Sequence, residues 1–206
     1  MSSTLIAVPC MDMVAAPFAH SLACLKKQGE VSIAFEIASL IYQSRDTLVK
    51  RAVKANLDYI MWFDSDMIFE PDIMERMHKH MAEGKDFVTG LCFRRRYPYT
   101  PAIFKTLEFS ENGELKSEGF EDYPKDAPFE VAGCGFAACM TSVQMCMDLL
   151  LNCQEWFRPI KGLGEDLSFC MRAKELGYKI WCDPSIKVGH VGQMVVNEEF
   201  YENTKK

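Results

Sequence analysis

The sequence predicts an α/β fold: a mostly parallel central sheet flanked by helices, with a small antiparallel and loop region. Three observations predict it. Short apolar runs alternate with amphipathic stretches in a β-α-β-α-β order from Leu5 to Phe63, the pattern of parallel strands joined by helical crossovers. The third run, Tyr59-Ile60-Met61-Trp62-Phe63, is apolar throughout and ends on Asp64-Ser65-Asp66, as expected of a buried strand bounded by turn chemistry. The chain has 206 residues, 49% hydrophobic and 25% charged, enough for one sizeable core and ordinary for a globular domain.

Each element has a local reason. Residues 5–8 form a first strand that stops at Pro9. Over residues 14–27, Phe18, Leu22 and Leu25 recur at helical spacing, and Gly29 supplies a stop. In residues 31–37 the apolar side chains fall two apart, the period of a strand. Ser44 is placed to cap a helix over 45–55 whose Leu48, Val49 and Val53 face inward. Pro71 suits the first turn of the next helix and Gly84 its end. Residues 87–91 form a fourth strand. Between 92 and 129, Pro98, Pro101, Gly113, Gly119, Pro124 and Pro128 divide the chain into hairpins and loops. Residues 129–132 begin another strand, 141–152 read as a helix, 166–176 as a helix ended by Gly177, and 180–182 as a short strand. The polar tail after Asn197 reads as helical or frayed. No repeat or linker divides the chain, so residues 1–206 are expected to form a single domain.

Composition narrows the function. A net charge of −6, from 29 acidic and 23 basic residues, argues against a broad nucleic-acid-coating surface but leaves room for a local basic groove. No apolar stretch reaches the length of a membrane span. The first residues lack the basic start and long apolar region of a signal peptide, so a cytoplasmic location is expected. The nine cysteines include no Cys-x-x-Cys pair and mostly sit among apolar neighbours, which reads as reduced core residues. His20, His78 and His80 fall on predicted helices and are expected on the solvated surface.

The chemistry concentrates in four places. Asp64 and Asp66 emerge where a strand ends, and open α/β sheets bind ligands beyond the carboxyl ends of their strands. Paired carboxylates there are costly unless compensated, and a divalent cation carrying a diphosphate would compensate them. His190, in Gly189-His190-Val191-Gly192, offers an imidazole suited to a transition metal. Glu165-Asp166 opens a predicted helix, where the dipole also favours acidic residues. Arg94-Arg95-Arg96, beside Phe93, Tyr97 and Tyr99, is either a solvated basic face or a phosphate contact.

In order and spacing these pieces resemble GT-A-type, Rossmann-like glycosyltransferases, in particular small inverting enzymes akin to family 2. The resemblance runs from about Leu5 to Gly192. It rests on Asp64-Ser65-Asp66, Gly133-Cys134-Gly135-Phe136, Gly164-Glu165-Asp166-Leu167, Gly177-Tyr178-Lys179-Ile180-Trp181-Cys182-Asp183-Pro184 and Gly189-His190-Val191-Gly192. It implies a nucleotide-sugar donor, UDP-type, and a Mn²⁺- or Mg²⁺-dependent transfer to an acceptor hydroxyl. Asp66, Asp64 and His190 would be the metal ligands, with Asp64 also near the ribose. Asp166 would be the general base, with Glu165 orienting the acceptor or holding the loop. Pro9, Cys10 and Asp12 would lie against base and ribose. Arg45 would lie near base or phosphates, unless it is a surface arginine. Gly133 and Gly135, which permit positive φ and close approach, would lie beside the donor sugar. Trp156 and Phe157 are either an acceptor platform or core. The acceptor stays open: lipid-linked sugar, protein, small molecule or nucleic acid. Compact relatives occur among phage-encoded enzymes, which makes a DNA base in a host cytoplasm one option. A nucleotidyltransferase of similar fold and a non-catalytic nucleotide-sugar binder are the competing classes. The first wants a Gly-rich basic signature after the first strand, which Pro9-Cys10-Met11-Asp12-Met13 lacks.

Overall fold

The computed structural model describes residues 2–192; the tail beyond Asn197, expected to be helical or frayed, lies outside the described residues. The strands are β1 (Ser3–Cys10), β2 (Glu30–Ile37), β3 (Tyr59–Phe63), β4 (Met67–Ile68), β5 (Phe87–Leu91), β6 (Ile103–Phe109), β7 (Leu115–Gly119), β8 (Phe129–Val131), β9 (Gly133–Cys134), β10 (Ala138–Ser142), β11 (Ile180–Lys187) and β12 (Gly189–His190). The helices are α1 (Ala16–Cys24), α2 (Ile41–Lys54), α3 (Ile73–Ala82), α4 (Val143–Cys153) and α5 (Glu165–Glu175). Seven strands form the main sheet in the order β2-β1-β3-β10-β5-β11-β8. β2, β1, β3, β5 and β11 run one way; β10 and β8 run against them. Two small antiparallel sheets, β12-β4 and β7-β6-β9, border the carboxyl ends.

Away from the exposed edge strand β2, the central strands are buried on both faces, which explains their unbroken apolar runs. Along β3, Ile60 and Trp62 point into a core shared with Leu48, Leu149 and Phe169 of α2, α4 and α5. Met61 and Phe63 point the other way, into a core with Phe18 of α1 and Met74 and Met77 of α3. The two-residue period of a strand divides one apolar run between two cores.

Several expectations are corrected. Residues 138–142 form the central antiparallel strand β10, and the helix starts only at Val143, with Ser142 capping it through a 3.1 Å bond from the Met145 N–H. Ala138-Cys139-Met140-Thr141 runs straight into Val143-Gln144-Met145-Cys146, so local pattern does not separate strand from helix. Ser44 is not a cap: α2 begins at Ile41, and Ser44 lies buried inside it. α1 is shorter than 14–27, ending at Cys24 well before Gly29. α3 begins at Ile73, after rather than at Pro71. β11 is eight residues long, not three. His80 is buried, its Nε2 2.8 Å from Asp183 Oδ2, and His78 Nε2 lies 2.9 Å from Thr4 Oγ1. The two lie on opposite flanks of the buried face of α3, His80 buried and His78 half-buried; His20 is exposed as expected. Trp156 and Phe157 belong to the core, where Phe157 stacks on Phe169 at 4.6 Å. Seven of the nine cysteines are buried, Cys24 and Cys153 being the exceptions.

Candidate active site

β1 and β3 pair in parallel, so their carboxyl ends, Cys10 and Phe63, open on the same side of the sheet. There they border a cleft of about 750 Å³. Pro9, Cys10 and Asp12 line it from the end of β1, Arg45 from α2, Asp64 and Asp66 from the turn after β3, Glu165 from α5 and His190 from β12. Residues as far apart in sequence as Pro9 and His190 thus meet in one place.

Backbone bonds hold the acidic turn. The Asp64 N–H donates to the Ala137 carbonyl at 3.0 Å, Ala15 N–H to Ser65 at 2.9 Å, and Val191 N–H to Asp66 at 2.9 Å. β12 pairs with β4 so that His190 lies opposite Met67. That ladder sets His190 Nε2 3.4 Å from Asp66 Oδ2. His190 Nδ1 lies 3.0 Å from the Phe93 carbonyl, to which its N–H donates and which fixes the ring so that Nε2 faces Asp66. Arg95 also pairs with Asp66. Burial pushes the Asp66 carboxyl up, but the His190 hydrogen bond and charge, with Arg95, outweigh it and hold the carboxyl below its ordinary range. The Asp66 hydrogen bond, helped by Cys92 and Phe93, pushes His190 up to about 10.

Arg45 is no surface arginine: its side chain is 3% exposed. Its guanidinium lies over Phe136, Phe157 and Trp62, with 5.2 Å to the Phe136 centroid. Nη2 donates to Asp64 Oδ1 at 2.8 Å, and Nε lies 3.7 Å from Glu165 Oε1. One buried cation therefore joins the acidic turn to the start of α5. Burial foremost, with Asp66 and Glu165, pushes the Asp64 carboxyl up against the pull of Arg45. Replacing Arg45 with Met removes the partner of a partly buried carboxylate. Because the Asp64 side chain is still 32% exposed, the expected loss is about 2 kcal/mol, below the range for a fully buried pair. Urea denaturation reads it; an unmoved midpoint would mean that water replaces Arg45 at no cost.

Asp166, the residue after Glu165 in α5, is half-buried and is not itself among the residues lining the cleft. Its Oδ1 accepts from the Leu167 N–H at 2.7 Å. A Cβ on Gly135 would stand 3.6 Å from Asp166 Oδ2, and one on Gly164 3.2 Å from Oδ1. Burial first, then Glu165, raises the Asp166 carboxyl to about 6. Gly133 and Gly135 do not line the cleft, and neither has positive φ. Gly133 is instead a packing glycine, where a Cβ would stand 2.9 Å from Leu107 Cδ2.

Among the described residues, no three Asp, Glu, His or Cys side chains are already grouped as a metal site. Asp66 and His190 stand side by side, whereas Asp64 is turned to Arg45. A carboxylate with an imidazole fits a divalent cation that completes its shell with water and phosphate oxygens. The two cationic side chains now on Asp66 mark the place where positive charge is favoured. Sequence reasoning missed Arg95 as a partner of Asp66; the usable signal was its place just beyond β5, which runs the same way as β3.

Similarity to solved structures matches this architecture. A197 from STIV aligns over 93% of this chain and 86% of its own, with 18% identity and TM-score 0.63. GalNAc-T7, solved with UDP, GalNAc and Mn²⁺, aligns over 95% of this chain with 9% identity and TM-score 0.64. This is a GT-A-like fold. The chain spans 44% of the GalNAc-T7 chain, and at these identities the likeness concerns the GT-A-like fold alone. No protein-family model and no curated protein sequence matches the chain. Among the described residues, no helix of the GT-A-like unit is long and apolar enough to cross a membrane.

Proposed function

We propose that this chain is a single-domain, cytoplasmic glycosyltransferase that moves a sugar from a nucleotide-sugar, UDP-linked, to an acceptor hydroxyl with inversion. The supporting observation is the convergence of Asp12, Arg45, Asp64, Asp66, Glu165 and His190 on one cleft at the carboxyl ends of β1 and β3. Pro9, Cys10 and Asp12 form the wall for base and ribose. Asp66 and His190, with Asp64 if it leaves Arg45, would hold Mn²⁺ or Mg²⁺. Such an ion, when bound, supplies the charge that stabilises a departing diphosphate. Arg45 keeps Asp64 and Glu165 in place. The acceptor oxygen bonds to the anomeric carbon as the bond to the diphosphate breaks, and the hydroxyl proton passes to Asp166. Asp166 suits the task because its carboxyl is raised to about 6 and so titrates close to neutral pH. Gly135 and Gly164 leave room at its oxygens.

A donor-hydrolysis screen over sugar nucleotides with Mn²⁺ tests this without an acceptor. Slow consumption of a UDP-sugar is expected. Consumption of none, with no UDP binding, would remove the proposal.

A further inference from the structure

Residues 92–102 form a hairpin beyond β5 whose root borders the cleft. Its backbone is internally bonded: Ala102 N–H to the Cys92 carbonyl at 2.9 Å, Arg94 N–H to Thr100 at 2.9 Å, and Tyr99 N–H to Arg96 at 2.8 Å. Phe93 and Pro101 form a further antiparallel bridge. The tip is therefore set in place, yet it carries side chains that a folded protein normally covers. Tyr97 is 87% exposed and Tyr99 60%, their rings edge to face at 6.3 Å. Arg96 stands exposed between them and the root. Arg95 turns inward to Asp66, while Arg94 lies over Phe104. Neither Arg94 nor Arg96 has a carboxylate partner among the described residues.

Exposed tyrosine faces with unpaired guanidinium forks, held rigidly, match two features of one ligand class. Unpaired bases stack on aromatic rings, and the phosphodiester backbone pairs with arginine. The run Arg94-Arg95-Arg96 is the only run of three basic residues in a chain of net charge −6. Elsewhere the protein repels a polyanion, so binding should depend on this hairpin. We infer that the hairpin 92–102 is a docking element for single-stranded nucleic acid, which it presents to the cleft as the acceptor. Only the word acceptor rests on the proposed transfer reaction; the docking does not.

Anisotropy of a labelled single-stranded oligothymidylate, without metal or donor, reads the docking alone. Wild type should bind, with affinity falling as salt rises. Arg96→Gln should flatten the salt slope by about 0.7, the share of one phosphate contact on a single strand. Tyr97→Ala should weaken binding by about 5- to 150-fold, the range for one lost base stack. Both side chains are exposed, so circular dichroism should be unchanged. No binding at low salt, or binding indifferent to both substitutions, would overturn the inference. So would tighter binding to anionic vesicles or heparin that ignores Tyr97→Ala. A parallel titration with UDP and Mn²⁺ keeps the two readings apart: UDP binding without oligonucleotide binding removes only the docking, and the reverse removes only the transferase.

Discussion

Asp166→Asn is expected to leave folding and donor binding intact and to lower turnover by about 10²–10⁴-fold, the usual loss when a general base is removed. A base must face the acceptor, opposite the leaving diphosphate, and in the proposed reaction Asp66 with His190 would hold the diphosphate side. Glu165 is engaged by Arg45. Asp166 has no cationic partner within ion-pair distance among the described residues and is oriented by the Leu167 N–H. The pH dependence has a definite sign. With its carboxyl raised to about 6, Asp166 is the active base above that pH, and the rate should fall as pH drops through it. The folded state binds this proton more tightly than the unfolded chain does. Asp166 therefore costs stability at neutral pH, and that cost disappears as pH falls below about 6. Asp166→Asn should consequently melt no lower than wild type at pH 7. An inverted anomeric configuration in the product, read by NMR, is the companion expectation. Retained configuration would refute the mechanism; near-normal turnover in Asp166→Asn would move the base to Glu165.

Asp66→Ala is expected to abolish the metal dependence of donor binding. In wild type, UDP should bind markedly more tightly with Mn²⁺ than with chelator, as calorimetry would report. Loss of an outer-shell partner costs about 10–100-fold in metal affinity, so loss of a direct ligand should exceed that. Asp66→Ala also frees Arg95 and His190, which now share its charge. Without metal the variant should therefore bind UDP no worse than wild type does, because the Arg95 guanidinium then faces the cleft without its carboxylate partner. Equal UDP binding by wild type with and without chelator would sink the metal assignment.

Much of the fold was legible because it is written in short-range pattern. The apolar run at 59–63, the period-two alternation at 31–37 and the helical spacing around Leu48 each follow from one element packing against a core. The acidic turn was legible for the same reason, since an apolar strand must end somewhere and Asp64-Ser65-Asp66 marks where. Boundaries were less legible. Ser44 has the chemistry of a cap but sits one turn inside α2, because packing of Arg45 and Leu48 sets where that helix starts. His80 looked like a surface residue on an amphipathic helix. Asp183, more than a hundred residues on, makes its burial tolerable.

By itself the sequence determined the α/β class, the sites of the five helices and of every main-sheet strand except β10, and which carboxylates and imidazole were candidates for chemistry. Local composition and period carry that information. Only the tertiary structure decided who meets whom. β10 enters the centre of the sheet antiparallel between β3 and β5, and a two-residue ladder sets His190 beside Asp66. Arg45 is driven into an aromatic cage where it must pair with Asp64. These are long-range pairings whose energy comes from burial and charge compensation between distant segments, and no local stretch of sequence encodes a partner it does not touch until the chain has folded.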